Sequence, residues 1–305
     1  MTRTLEPDAA PSKGSAEEDI YRQALSFALT CSEREAFERD GYLVVPDALP
    51  ADLIEALIPV ADRIDREGRA AQNAESLARM NHYDIIGRDP RLLTLLDYPT
   101  TIARVWGLLG WNISLYHTHL TINPTQPQTQ GSEEERLELG WHQDSGQLNA
   151  DLETSPRPRI SLKIGYFLTD TRESGRGNLY VLPGSHHRDD FPGTNRRALP
   201  DGAIPIRVPP GTAVFFDRRL WHSGSANYWH TPRRVIFYGY AYRWLRPRDD
   251  MEVSQYIPAC GPLRRQLLGQ SVTGGRGYTS PTDADVPLKG WLEANAPSTR
   301  PDSPQ

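Results

Sequence analysis

From residue 112 onward the chain breaks into short β-rich runs separated by loops bearing glycine and proline, and this texture limits the possible folds more than any other feature. The runs are 113–122, 160–168, 179–182, 204–208, 212–216 and 235–242. Regularly spaced short strands with turn signals between them predict an antiparallel sandwich or barrel. The preceding third reads differently. Residues 51–67 place Leu53, Ile54, Leu57, Ile58 and Ile64 at helical spacing, with Pro59 expected to bend the helix, and 92–109 gives a second helical stretch interrupted near Pro99. A short strand at 42–45 comes before the first helix. The expected architecture is therefore mainly β with flanking helices packed against a double-sheet jelly roll. Segments 126–139 and 147–159 are too polar for strands and read as long loops, of the kind that serve as lids or as plain solvent-exposed insertions.

The polar, Ala/Pro/Ser-rich residues 1–18 and residues 296–305 are expected to be disordered tails around one domain at 19–295. A length of 305 residues is enough for that domain to bury a sizeable core. The formal charge of −5, from 34 basic and 39 acidic residues, gives no electrostatic reason to expect nucleic acid as a partner. No run has the apolar length to span a bilayer, and the N-terminus lacks an apolar signal region, so a cytoplasmic protein without a membrane partner is expected. The two cysteines, Cys31 and Cys260, make neither a disulfide framework nor a thiolate metal site, so any metal must be held by histidines and carboxylates.

Trp141-His142-Gln143-Asp144 carries the chemical signal. If this segment is a strand, His142 and Asp144 project from one face and aim an imidazole and a carboxylate at one point. His222 follows the run at 212–216 closely and offers a second imidazole. Two histidines and one carboxylate make the facial triad of non-haem iron oxygenases, with open positions left for substrate and oxygen. Eleven residues after His222 stands Arg233, whose planar guanidinium suits the far carboxylate of a dicarboxylate cosubstrate. Arg234 should face the other way, towards solvent. Leu115, His117, His119, Thr121 and Asn123 alternate along one strand and are expected on one face. A polar row of that kind suits a wet, ligand-lined pocket, or else a solvated sheet face.

GWHQD, SLKIGYFLTD, GNLYVLPGSHHRD, WHSGSAN and PRR together resemble the phytanoyl-CoA dioxygenase family, including its bacterial ectoine hydroxylases, over about residues 41–242. The resemblance implies a double-stranded β-helix that uses Fe(II), 2-oxoglutarate and O2 to hydroxylate or otherwise oxidise a small molecule, with succinate and CO2 as coproducts. It implies iron ligation by His142, Asp144 and His222, and cosubstrate contacts from Arg233, His119, Asn123 and Tyr166. Trp141, Trp221 and His117 are expected near the pocket wall. Two features depart from the ectoine hydroxylases: Gly224 stands where those enzymes have serine, with Ser223 and Ser225 on either side, and the loop before His142 is longer. Ectoine is therefore not carried over as substrate. Asp144 fills the position that related halogenases open for chloride, which favours hydroxylation or another oxidation. His186 is expected to be structural, His187 and His230 exposed, and residues 173–178 a turn rather than a phosphate loop. Tyr228, Trp229 and Arg243 hint at an anionic or ring-bearing substrate, with a natural-product or amino-acid-derived intermediate favoured. Two rival readings stay open: a cupin-like metal enzyme that does not use 2-oxoglutarate, and a non-catalytic 2-oxoglutarate-binding module.

Overall fold

A computed structural model of the chain describes residues 16–127, 132 and 135–296. Helices α1 (Ala16–Leu25) and α2 (Cys31–Asp40) lead into strand β1 (Tyr42–Val45). Helix α3 (Ala51–Gln72), strand β2 (Met80–Tyr83) and helices α4 (Pro90–Leu93) and α5 (Pro99–Leu109) follow. The long strand β3 (Ile113–Asn123) precedes helix α6 (Gly146–Asp151), and then come β4 (Ser161–Phe167), β5 (Leu179–Val181), β6 (Ile204–Ile206), β7 (Ala213–Asp217), β8 (His222–Gly224) and β9 (Arg233–Tyr242). Helices α7 (Pro262–Leu267), α8 (Arg276–Thr279) and α9 (Pro287–Asn295) complete the described chain.

The strands form two antiparallel sheets, one of six in the order β1-β7-β4-β9-β3-β2 and one of three in the order β6-β5-β8. They make the jelly-roll arrangement expected from the sequence, without closing into a continuous barrel among the described residues. Every residue of β4 and β7 is buried, because the large sheet is covered on both faces. Its outer face, with Leu162, Ile164, Phe215 and Ile236, packs into the main core beneath the helices. Its inner face, with Phe167, Val214, Phe216 and Phe237, meets Leu179, Val181 and Ile206 of the small sheet. Three tyrosines on the outer face fix the helices above it. The Tyr238 hydroxyl donates to Leu92 O, that of Tyr240 to Leu96 O, and Tyr166 shares a 2.8 Å bond with Thr101 Oγ1. Tyr166 therefore belongs to the helix-facing core, and its expected place beside the cosubstrate is corrected.

The helices form where local chemistry permits. Thr30 and Glu33 make a reciprocal capping box at the start of α2, and Gly41 ends that helix at φ +81°. Helix α3 buries Ile54, Leu57, Val60, Ala61 and Ile64, runs on through Pro59, and extends five residues past the expected end. The helical stretch expected at 92–109 is two helices, since the segment before Pro99 does not continue α4. Residues 16–18 of the expected tail belong to α1, where Glu17 accepts backbone N–H bonds from Leu263 and Arg264. The remaining tail residues, 1–15 and 297–305, lie outside the described residues. So does part of the first polar loop, whereas the second contains α6.

Strand β3 corrects the expected polar row. Its register with β9 slips between Leu115 and His117, so that Tyr116 is an extra residue. Leu115 faces the core with Leu120 and Ile122, while His117, His119 and Thr121 face the interior between the sheets. Arg234 points outward, as its parity requires, but pairs with Asp62 of α3 at 2.7 Å instead of standing free.

His117 fits only because Gly239 lies beneath it. A Cβ on Gly239 would stand 2.4 Å from the imidazole Nδ1 and Cε1. Gly239→Ala is expected to lower stability by about 1–3 kcal/mol through overpacking, whereas Gly290→Ala in α9, where an added Cβ meets nothing, should raise it by about 0.5–1 kcal/mol. Equilibrium denaturant unfolding of both variants checks this, and equal effects at the two positions would refute the packing argument.

Candidate active site

The inner face of the large sheet bounds one side of a cavity of about 160 Å³. Strand parity decides which side chains reach it. On β9, Arg233 and Phe237 share the inner face with Gly239; on β3 these are His119 and Thr121; on β4 it is Lys163, alternating with the core residues Leu162 and Ile164. The edge strand β2 buries Met80 and His82 and turns Asn81 and Tyr83 towards the cavity, with Arg79 just before it. Asn81 accepts a 2.8 Å bond from the Thr121 hydroxyl.

His142, Asp144 and His222 close the opposite side. Residues 140–144 are not a regular strand. His142 forms an isolated antiparallel bridge with His222, each backbone N–H donating to the other's carbonyl at 3.0 Å. Asp144 is held by its N–H on Arg218 O at 2.9 Å, and Asn149 of α6 donates to its carbonyl. The side chains nevertheless converge. The imidazole centroids of His142 and His222 are 4.3 Å apart, and His222 Nε2 lies 3.9 Å from Asp144 Oδ1. One ligand atom from each of the three residues lies within 4.8 Å of the others. Each histidine places Nδ1 2.9 Å from a backbone carbonyl, that of Gly140 or of Leu220. A carbonyl only accepts, so Nδ1 carries the proton and Nε2 keeps the lone pair. Two imidazole Nε2 atoms and a carboxylate oxygen facing one point could hold a divalent metal, and the donor set suits Fe(II).

Lys163 is the residue that sequence reading missed. Its ammonium lies 2.7 Å from Asp144 Oδ2 and is flanked by the rings of Phe216 at 5.5 Å and Phe237 at 5.7 Å. Burial opposes ionisation of Asp144, yet the charge and hydrogen bond of Lys163, together with His222 and His142, outweigh it and hold the carboxyl well below the usual carboxylate range. The signal was present as the one charged residue in an apolar strand, with the parity of Gly165 rather than that of Leu162 and Ile164. Arg79 and Arg248 also line the cavity and were not singled out.

Arg233 stands 4% exposed, its Nε without a partner and its guanidinium 5.4 Å above the Phe167 ring. Among the described residues no carboxylate pairs with it. Burial, and then the nearby Arg79 charge, push its pKa down to about 9, so it still carries its charge at neutral pH. His119 lines the cavity with Nδ1 unpartnered, and burial keeps its pKa well below the usual imidazole value. His117 lies behind it, stacked at 5.4 Å, instead of in the wall. Asn123 shares their parity, but its amide donates to Ser225 O at 2.7 Å and does not line the cavity. Trp141 and Trp221 pack with Leu139, Tyr180 and Leu182 in a separate apolar cluster, which corrects their expected place at the wall. Gly224 does line the cavity, facing Arg79. Arg243 is buried and does not line the cavity, donating instead to Gly277 O. His186 is buried and bonded to Glu38 O.

This fold with this site defines a non-haem Fe(II)- and 2-oxoglutarate-dependent dioxygenase. The chain belongs to the phytanoyl-CoA dioxygenase family, whose profile matches residues 37–235. It is 25% identical over 254 residues to an ectoine dioxygenase of Stutzerimonas stutzeri, covering 72% of this chain and 80% of that protein. Among solved structures it is similar to HygX from Streptomyces hygroscopicus with nickel and 2-oxoglutarate bound (TM-score 0.56, 16% identity, 72% of this chain and 89% of that one). It is also similar to the epimerase SnoN in complex with Fe3+, alpha ketoglutarate and nogalamycin RO (TM-score 0.52, 20% identity, 76% and 87%). Among the described residues no helix is long and apolar enough to cross a membrane.

Two outcomes follow from these charges. Lys163→Met leaves Asp144 without its partner and should destabilise the metal-free protein by about 3–5 kcal/mol. Added Mn(II) should then raise the melting temperature of the variant more than that of the wild type, because the ion replaces the lost charge; equal shifts would refute the pairing. Burial, and then His142, lower the His222 pKa from 6.5 to about 3. The unfolded chain binds this proton below pH 6.5 and the folded chain does not, so the site's contribution to stability is complete above 6.5 and declines towards pH 3. Metal-free His222→Gln should show a flatter loss of stability across that window in pH-dependent melts.

Proposed function

We propose that His142, Asp144 and His222 hold Fe(II), that Arg233 binds the distal carboxylate of 2-oxoglutarate, and that the enzyme hydroxylates or otherwise oxidises a small natural-product or amino-acid-derived intermediate. The observation that carries this reading is the pairing, across one cavity, of a three-donor cluster with a buried guanidinium that no carboxylate among the described residues answers. A permanent cation buried without a counter-ion is costly unless a bound anion completes it.

Bound iron and 2-oxoglutarate supply the oxidation of a C–H bond by O2, with succinate and CO2 as coproducts. The chain's own residues do the rest. Arg233 fixes the cosubstrate's far end with its planar fork. Lys163 holds Asp144 Oδ2, leaving Oδ1 for the metal. Phe216 and Phe237 keep water from the inner wall, and His119, uncharged at neutral pH, offers a nitrogen to a polar ligand without adding charge. Asp144 occupies the position that a halogenase leaves open, which favours hydroxylation over halogenation.

The test needs no substrate. Fe(II) and 2-oxoglutarate added anaerobically to metal-free protein should give the weak visible charge-transfer band of a chelated keto acid. His142→Ala should abolish the band. Arg233→Ala should weaken cosubstrate binding by about 2 kcal/mol or more, with Arg233→Lys recovering only part because an ammonium lacks the bidentate fork. Iron binding without a band would favour a cupin-like enzyme that does not use 2-oxoglutarate. A band without any oxidised product across a broad substrate panel would favour a non-catalytic binding module.

A further inference from the structure

Four side-chain cations, Arg79, Lys163, Arg233 and Arg248, face this cavity, and Asp144 is the one carboxylate among the described residues lining it. Under the reading above, which this inference rests on, Fe(II) and the four side chains bring six positive charges, against three negative ones from Asp144 and the 2-oxoglutarate dianion. Lys163 is taken by Asp144, and Arg233 by the cosubstrate, with Arg79 close enough to Arg233 to depress its pKa. Arg79 and Arg248 have no such assignment.

Arg248 stands elsewhere on the wall, beside the β3 irregularity. Its backbone N–H donates to Tyr116 O at 2.8 Å, and its guanidinium lies 4.5 Å from the centre of the Tyr83 ring. The two aspartates that follow it in sequence do not neutralise it. Asp249 is turned inward, where Oδ2 accepts from Thr118 Oγ1 at 3.0 Å and from Thr118 N. The Asp250 N–H donates to Asp84. Neither forms an ion pair with Arg248 among the described residues. Tyr83 is 49% exposed, unusual for a large aromatic, and its other neighbour is His119 at 5.7 Å. His119 is more than nine-tenths buried, lines the same cavity and has no partner for Nδ1. An unpartnered imidazole nitrogen, an exposed ring and an uncompensated guanidinium thus lie in sequence along one wall.

We propose that the substrate carries an oxyanion, a carboxylate or a phosphate, which docks on the Arg248 guanidinium while its carbon skeleton lies over Tyr83 towards His119 and the metal. A guanidinium resting over a ring is restrained there, so its outer N–H groups meet a carboxylate or phosphate with less ordering left to lose. An oxyanion there also lowers the remaining excess of positive charge. Neutral molecules of the same shape bind without that term and are rejected.

The full chain, loaded anaerobically with Fe(II) and 2-oxoglutarate, is titrated with benzoate, phenyl phosphate and the neutral isostere benzamide. The keto-acid band reports that metal and cosubstrate are in place, and the titrant's perturbation of that band reads its binding. Benzoate or phenyl phosphate should bind in the millimolar range, at least about tenfold tighter than benzamide. Arg248→Ala should remove that preference, and Arg248→Lys should keep part of it. The tighter of the two anions assigns carboxylate or phosphate. Four outcomes overturn the proposal: benzamide binding as well as the anions, no anion binding at all, an anion preference that survives Arg248→Ala, or anions that displace 2-oxoglutarate and erase the band. Loss of the band in Arg248→Ala would place Arg248 in the cosubstrate cradle and overturn it as well. If the wild type gives no band, the 2-oxoglutarate reading itself fails, an outcome separate from any lack of anion preference.

Discussion

Two backbone hydrogen bonds between His142 and His222 do more for this site than any side-chain contact. The segment carrying His142 and Asp144 has no strand of its own. It is aligned only because it pairs with the residue that opens β8, which is itself registered against β5 in the small sheet. That pairing puts two imidazoles on the same side of one bridge. The carbonyls of Gly140 and Leu220 then select the tautomer that leaves both outer nitrogens free. The carboxylate arrives two residues later, anchored from below by Arg218 and Asn149. Backbone pairing sets the distances, and the side chains supply the chemistry.

Facing this cluster is a sheet whose inner surface breaks the usual rule for interiors. Its outer surface is apolar or bonded through tyrosine hydroxyls to helix carbonyls. Its inner surface holds a lysine, an arginine and two neutral histidines, several with nitrogens that find no partner among the described residues. Such groups are tolerated where a ligand or water completes them, and the cost of leaving them open is part of what makes the ligand bind. The aromatic rings of Phe167, Phe216 and Phe237 beneath the cations soften that cost without neutralising the charge.

Much of this was legible in the sequence. The six β-rich runs correspond to strands because apolar stretches bounded by turn residues leave a clear signature, strongest in β4 and β7, which are buried throughout, and the convergence of His142, Asp144 and His222 followed from residue type and spacing. What was hidden shared a cause. Strand β2, with the sequence Met-Asn-His-Tyr, is too short and polar to register as a strand, and its pairing with β3 is a tertiary fact. The C-terminal helices are brief and held by polar hubs such as Asp285, which accepts from Ser271, Thr273 and Thr282, and by the Arg264–Asp97 pair, so periodicity had little to detect. Lys163 sat in plain view inside an apolar run. Tyr166 was assigned by resemblance and the two tryptophans by their place beside the ligand histidines, and the parity of β4 and the cluster around Tyr180 place them elsewhere.

The extra residue at Tyr116 shows how one strand can serve two opposed environments. Before it, odd-numbered positions lie against the helices; after it, odd-numbered positions look into the cavity. The irregularity works like a half-turn in a ribbon, so that a solvent-shielding stretch and a ligand-facing stretch are read in different phases from one continuous chain. Were Tyr116 instead an ordinary member of an unbroken alternation, the parity of the first half would run on through the second, turning the histidines into the oil of the core and Leu120 and Ile122 into the cavity. The slip of register between Leu115 and His117, and not the side chain of the tyrosine, gives each half of the strand its face.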